Sequence, residues 1–76
     1  MDKIYDILQE LRPELNFREI EMYASSGYLD SFDIVAIVDE LEDHYDILID
    51  AFEIVPENFD SVEAIAALVK KSGGTL

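Results

Sequence analysis

Apolar residues recur at helical spacing in three separate stretches, and this periodicity constrains the fold more than any other feature of the chain. Ile4, Ile7, Leu8 and Leu11 fall at i, i+3, i+4 and i+7, one stripe of an amphipathic helix. Ile34, Ile37, Val38, Leu41 and Tyr45 form a second stripe, and Val62, Ile65, Leu68 and Val69 a third. The punctuation agrees. Asp2 suits an N-cap, and Pro13 stops the first helix at about Arg12, because proline disfavours helical backbone in the residue before it. Asp30, with Asp33 three residues on, suits the positive N-terminus of the second helix. Asp60 and Glu63 make an N-cap and N3 pair for the third, which Gly73 and Gly74 end. The expected fold is all-α, a small helical bundle of three main helices plus one short helix. Within a single domain spanning 1–76, the expected segments are a helix over about 2–12, a long loop 13–30 and a helix over about 31–45. A short helical turn follows at about 51–55, then a helix over about 61–71 and a tail 72–76.

The two connections carry their own pattern. Pro13 to Leu29 is 17 residues, long for so small a domain, and such loops are usually functional or partly structured. Its Leu15, Phe17, Ile20 and Met22 are expected to tuck onto the core. In the second connection Ile47 and Ile49 alternate with Asp46, Leu48 and Asp50. That is a strand pattern, but a lone strand has no partner.

Charge excludes several functions. The 76 residues carry 18 Asp and Glu against 5 Lys and Arg, a net charge of −13. Binding nucleic acid requires bases to neutralise phosphates, and an anionic membrane repels such a chain. Half of the residues are hydrophobic, enough to fill a small core rather than stay disordered. The charge is also unevenly placed. The bases are Lys3, Arg12, Arg18, Lys70 and Lys71. From Glu19 to Val69 there are 51 residues with 14 of the 18 acids and no Lys or Arg; His44 is the one candidate cation there. There is no Cys, which removes disulfides, thiolate metal sites and a cysteine nucleophile. The longest near-continuous apolar run, Ile34 to Val38, is far too short to span a membrane. Met1-Asp2-Lys3 leads straight into an amphipathic stretch instead of a signal peptide. A soluble, cytoplasmic monomer is expected.

Catalytic and metal-binding patterns are weak. A hydrolytic triad needs a nucleophile, a base and an orienter, and His44, among Asp43, Tyr45 and Asp46, has no pocket-forming motif beside it. It reads as a solvated surface residue. No GxxxxGK[ST] or GxGxxG phosphate loop occurs. The acidic run from Asp39 to Asp50 fails the calcium-loop test, which wants Gly at the sixth position and Glu at the twelfth; starting from Asp39, these are His44 and Asp50. No catalytic residue and no built metal site is expected.

The second helix is the informative one. Beside its core stripe it has a second face, Phe32, Val35, Ala36, Asp39, Glu42 and Asp43, apolar at the start and acidic at the end. Either the apolar half is buried under the long loop, or it is a partner-docking face with steering charges around an apolar contact. Ser31 sits in the first turn of this helix. A helix N-terminus offers free N–H groups and a positive dipole end, a natural place to carry a phosphate ester. Equally, serine commonly caps helices. A second Asp-Ser-apolar start exists at Asp60-Ser61-Val62, so the pair alone is weak evidence.

Gly27-Tyr28-Leu29-Asp30-Ser31-Phe32, leading into Asp33-Ile34-Val35, resembles the attachment motif of acyl carrier proteins. The match covers nearly the whole chain, down to Pro56-Glu57-Asn58-Phe59-Asp60-Ser61 opening the last helix. The Gly-x-Leu-Asp-Ser form is similar to small stand-alone carriers, including those for D-alanine, while fatty-acid-synthesis carriers more often show Gly-Ala-Asp-Ser-Leu; the resemblance implies service to enzymes of fatty-acid, polyketide or related biosynthesis, with D-alanyl or aminoacyl carriage as the alternative. The resemblance implies a 4′-phosphopantetheine arm on Ser31, added from coenzyme A by a phosphopantetheinyl transferase. The arm's terminal thiol would hold acyl or aminoacyl groups as thioesters. Asp30 would cap the helix and help the transferase dock. Phe32, Val35 and Ala36 would give apolar contact, while Asp33, Asp39, Glu42 and Asp43 would steer enzymes with basic docking patches that load, condense or transfer the group. The carrier would catalyse nothing itself. A non-carrier acidic interaction module is the alternative from another class, and a metal sensor a more distant one.

Overall fold

The structure is a computed structural model and describes residues 2–75. Its elements run α1 (Asp2–Leu11), α2 (Ser31–Tyr45), a first 3-10 turn (Ala51–Glu53), a second 3-10 turn (Pro56–Phe59) and α3 (Val62–Lys71). The fold is all-helical, and the described residues contain no strand. The second 3-10 turn adds one short element to the single one expected; Pro56 opens it, where its missing N–H costs nothing.

Each stripe becomes a wall of one core. α1 buries Ile4, Ile7 and Leu8 and packs against both α2 and α3. Each fully buried aliphatic side chain is worth about 1.5–3 kcal/mol of transfer free energy, so α1 docks by this stripe. Leu8→Ala, which leaves a cavity costing on the order of 2–5 kcal/mol, would loosen it. α2 buries Ile37, Val38 and Leu41, with Ile34 and Tyr45 packed half-buried at the edge. α3 buries Val62, Ile65, Ala66, Leu68 and Val69.

The helix ends are closed by distinct devices. Asp30 and Asp33 form a reciprocal capping box at α2: the Asp33 N–H donates to Asp30 Oδ1 at 2.9 Å, and the Asp30 N–H to Asp33 Oδ2 at 3.0 Å. Asp46, in the left-handed region at φ 55°, ends α2. The Glu42 carbonyl accepts from the N–H groups of both Asp46 and Ile47. α3 ends at Gly73, φ 97°, where Gly73 N donates to Lys70 O and Gly74 N to Val69 O at 2.8 Å, a Schellman closure. A Cβ on Gly74 would stand 2.6 Å from a Val69 methyl, so this second glycine is held by close approach.

The Asp60/Glu63 pair expected to open α3 is not formed. Ser61 is the cap, its hydroxyl accepting from Ala64 N at 3.0 Å. The Asp60 carboxylate is turned away, engaged by the first connection.

That connection is well ordered by contacts. Phe17 is buried, Leu15 and Ile20 pack half-buried on the core, but Met22 is 55 % exposed at φ 52°. The apolar anchor next to it is Tyr23 instead. Its ring meets Phe17 edge-on at 5.0 Å, and its hydroxyl donates to Phe17 O at 2.6 Å. Burial pushes the Tyr23 phenol up, so it remains a donor. In the second connection Ile47 and Ile49 point inward and Leu48 outward. The two-residue alternation is real, yet no ladder forms; Ile49 N donates to Glu42 Oε2 at 2.9 Å.

Candidate functional site at the start of α2

Ser31 is the first residue of α2 and is exposed. Asp30 occupies the cap position, with extended backbone at φ −95°, ψ −176°. The capping role considered for Ser31 is therefore taken by its neighbour. Ser61, the serine of the similar triplet, is committed to a cap bond. Ser31 thus presents its hydroxyl at a helix N-terminus without being needed to complete it.

The residues beyond Ser31 settle the question of the second face. Phe32 is 85 % exposed and Val35 66 %. The long connection does not cover them. With Ala36, Val38, Asp39 and Glu42 they line a shallow groove along α2. An aromatic ring and an isopropyl group left in water are an unusual use of apolar surface in a chain this small. Exposure continues past the helix at Leu48 and Phe52.

The acids of this face divide into two kinds. Asp39 and Asp43 are exposed, and among the described residues neither forms an ion pair. They are free to act on a partner. Asp33, expected as a steering charge, is engaged within the chain. Its side chain is 12 % exposed and is consumed by the capping box and by Arg12, whose Nη1 donates to Asp33 Oδ2 at 2.8 Å. Glu42 is also used internally, holding Ile49 N. A carboxylate already satisfied by fixed donors offers a partner less.

No family model matches the chain, and no curated protein or solved structure matches it either. What the site can do rests on its own geometry.

Two positions that sequence reasoning missed hold this geometry. The first is Arg12. Its guanidinium donates to Glu14 Oε2 at 2.7 Å, to Asp33 Oδ2 and to the Tyr28 carbonyl at 3.0 Å. It ties the end of α1 to the residues on both sides of Ser31. The hydrogen bonds it donates to the carboxylates of Glu14 and Asp33 raise its pKa. The signal available was scarcity: with five bases in the chain, each base must be asked which acid it serves. The second is Asp60. Its Oδ1 accepts from Ala24 N at 3.0 Å and Ser25 N at 2.7 Å, and its Oδ2 from Ser25 Oγ at 2.6 Å. No local pattern announces a contact across 35 residues. His44 is exposed and stacks edge-on against Tyr45 at 4.8 Å.

Chemically, the arrangement offers one primary hydroxyl in solvent, beside a positive helix end and an apolar, acidic groove.

Proposed function

We propose that the chain is a carrier protein that holds acyl or aminoacyl groups as thioesters on a 4′-phosphopantetheine arm attached to Ser31. The observation that carries this reading is the division of labour at the start of α2. Asp30 caps the helix, and Ser31 is left exposed with its hydroxyl to spare.

The residues fit the group. Ser31 lies where backbone N–H groups and the helix dipole favour a phosphate ester. Arg12 offsets the carboxylates of Glu14 and Asp33 near the same helix end. The arm supplies a terminal thiol, which this chain lacks. In attachment, the Ser31 oxygen becomes esterified to the pantetheine phosphate of coenzyme A, and the adenosine bisphosphate half leaves. The hydroxyl proton passes to a base on the transferase. Phe32, Val35 and Ala36 give the transferase and later partners an apolar contact, and Asp39 and Asp43 draw their basic patches in. Such encounters are fast and brief, as suits one carrier visiting several enzymes. The chain acts as a cytoplasmic monomer and catalyses nothing by itself. A non-carrier acidic interaction module would use the same groove but leaves Ser31 without a role.

Intact-mass measurement after incubation with coenzyme A and a broad-specificity phosphopantetheinyl transferase tests the reading. The chain and its Ser61→Ala variant gain one arm each; Ser31→Ala gains none. A chain that keeps its original mass, beside a control carrier that loads, ends the proposal.

A further inference from the structure

We propose that Asp60 is a positioning residue for Ser31, gripping the segment that delivers the Ser31 hydroxyl to the surface. This rests on the carrier reading of Ser31.

Asp60 gives its own helix nothing through its side chain, because Ser61 already caps α3. Both carboxylate oxygens point instead at the first connection and accept from Ala24 N, Ser25 N and Ser25 Oγ. Its backbone carbonyl accepts from Tyr23 N at 3.1 Å. Three consecutive residues are thus held by one aspartate. The held segment then closes on itself. Leu29 N donates to Tyr23 O at 2.9 Å, and Gly27, at φ 88°, makes the return. Tyr23 and Leu29, the two ends of this small loop, are both buried. Leu29 lies two residues before Ser31. The path from Asp60 to the serine is therefore short and continuous: the aspartate fixes Tyr23 to Ser25, Tyr23 fixes Leu29, and Leu29 sets where Asp30 begins the helix. Arg12 holds the same loop from the other side through the Tyr28 carbonyl. Losing the Asp60 grip leaves α2 and its groove in place and frees only the approach to Ser31. A hydroxyl displaced by an ångström reacts far more slowly in an otherwise intact complex.

The test is the steady-state rate of arm transfer by a phosphopantetheinyl transferase with coenzyme A, measured as carrier concentration varies. Four chains are compared: the unaltered one, Asp60→Asn, Ser25→Ala and Ser61→Ala. Asp60→Asn keeps an oxygen for the two amides but loses the charge and the acceptor of the Ser25 hydroxyl, and is expected to lower the maximal rate about threefold, with the half-saturating carrier concentration unchanged. Ser25→Ala removes one of the bonds from the opposite side and lowers the maximal rate about threefold. Ser61→Ala loses a bond at the same end of α3 and keeps the maximal rate. A merely structural loss behaves differently, since a partly unfolded carrier raises the half-saturating concentration instead. If Asp60→Asn loses its helical circular dichroism, Ser25→Ala decides alone. Maximal rates equal to that of the unaltered chain in both Asp60→Asn and Ser25→Ala overturn the positioning role and leave the carrier reading intact. An equal fall in Ser61→Ala also overturns it. An unaltered chain that never loads overturns the carrier reading and this role together.

Discussion

The chain begins two helices with the same Asp-Ser-apolar triplet and folds them differently. At Asp30-Ser31-Phe32 the aspartate caps the helix, the serine is exposed and the phenylalanine stands in water. At Asp60-Ser61-Val62 the serine caps, the aspartate reaches across to Ala24 and Ser25, and the valine is fully buried. The cap has moved by one residue. Local propensity does not choose between these outcomes, because Asp and Ser are comparable N-caps. Distant partners choose. Arg12 fixes Asp33 where it can complete a box with Asp30. Ser25 and the amides beside it take the Asp60 carboxylate, and Ser61 is left to close the helix. One start becomes a joint of the core, and the other a presented hydroxyl.

The largest test of this contrast is the apolar residue after each serine. Val62→Ala removes two buried methyl groups and should cost on the order of 2 kcal/mol. That is a large part of the roughly 5 kcal/mol expected of so small a domain. Phe32→Ala removes a whole ring but should change stability by less than about 0.5 kcal/mol. Urea unfolding of both variants reads the difference. Comparable losses would mean that Phe32 packs on the core after all.

The caps come next. Asp30→Ala and Ser61→Ala should each lose about 1 kcal/mol, while Ser31→Ala stays within about 0.5 kcal/mol of the unaltered chain. This ordering inverts the two triplets: the aspartate matters as a cap in the first and the serine in the second. A Ser31→Ala loss as large as that of Asp30→Ala would put the cap of α2 one residue later and withdraw the spare hydroxyl.

The helices were legible because their signal is local. Ile4, Ile7, Leu8 and Leu11 need only the period of a helix to be found, and Pro13 and Gly73 mark stops by their own backbone limits. Asp30 and Asp33 were legible as acids suited to the positive start of α2, though not as the reciprocal box they form. Ser31 was visible as a residue type in a suggestive place, and Phe32 and Val35 as a second face of α2, but burial under the long loop and exposure stayed open until the fold decided between them. What the sequence could not carry was commitment. Asp33 and Glu42 look like Asp39 and Asp43 in a row of acids, and only the fold shows the first pair already bonded to Arg12, Asp30 and Ile49. Asp60 failed for the same reason, since its partners lie 35 and 36 residues away. Met22 stands outside, at a positive φ, and nothing in the residue itself calls for one.

The smallest expected effect is in pH, and it separates the two residues that open α3. Burial pushes the Asp60 carboxyl up, but hydrogen bonds from the Ser25 hydroxyl and from the Ser25 and Ala24 amides outweigh it and hold the group below the usual carboxylate range. A carboxyl whose pKa is depressed on folding adds stability above its unfolded value, about 3.9 for aspartate. That contribution disappears as pH falls through the lower folded value, because the unfolded chain takes up its proton first. All other carboxylates are shared by the unaltered chain and Asp60→Asn, so their titrations cancel in the difference. The stability gap between the two chains should therefore be widest near pH 6 and narrow toward about pH 3. The Ser61→Ala gap should stay constant over the same range, because a serine hydroxyl does not titrate there. Urea midpoints across pH read both. A gap for Asp60→Asn as flat as that for Ser61→Ala would mean that the carboxylate is no better solvated by Ala24 and Ser25 than by water, and the grip on the first connection would be geometric only.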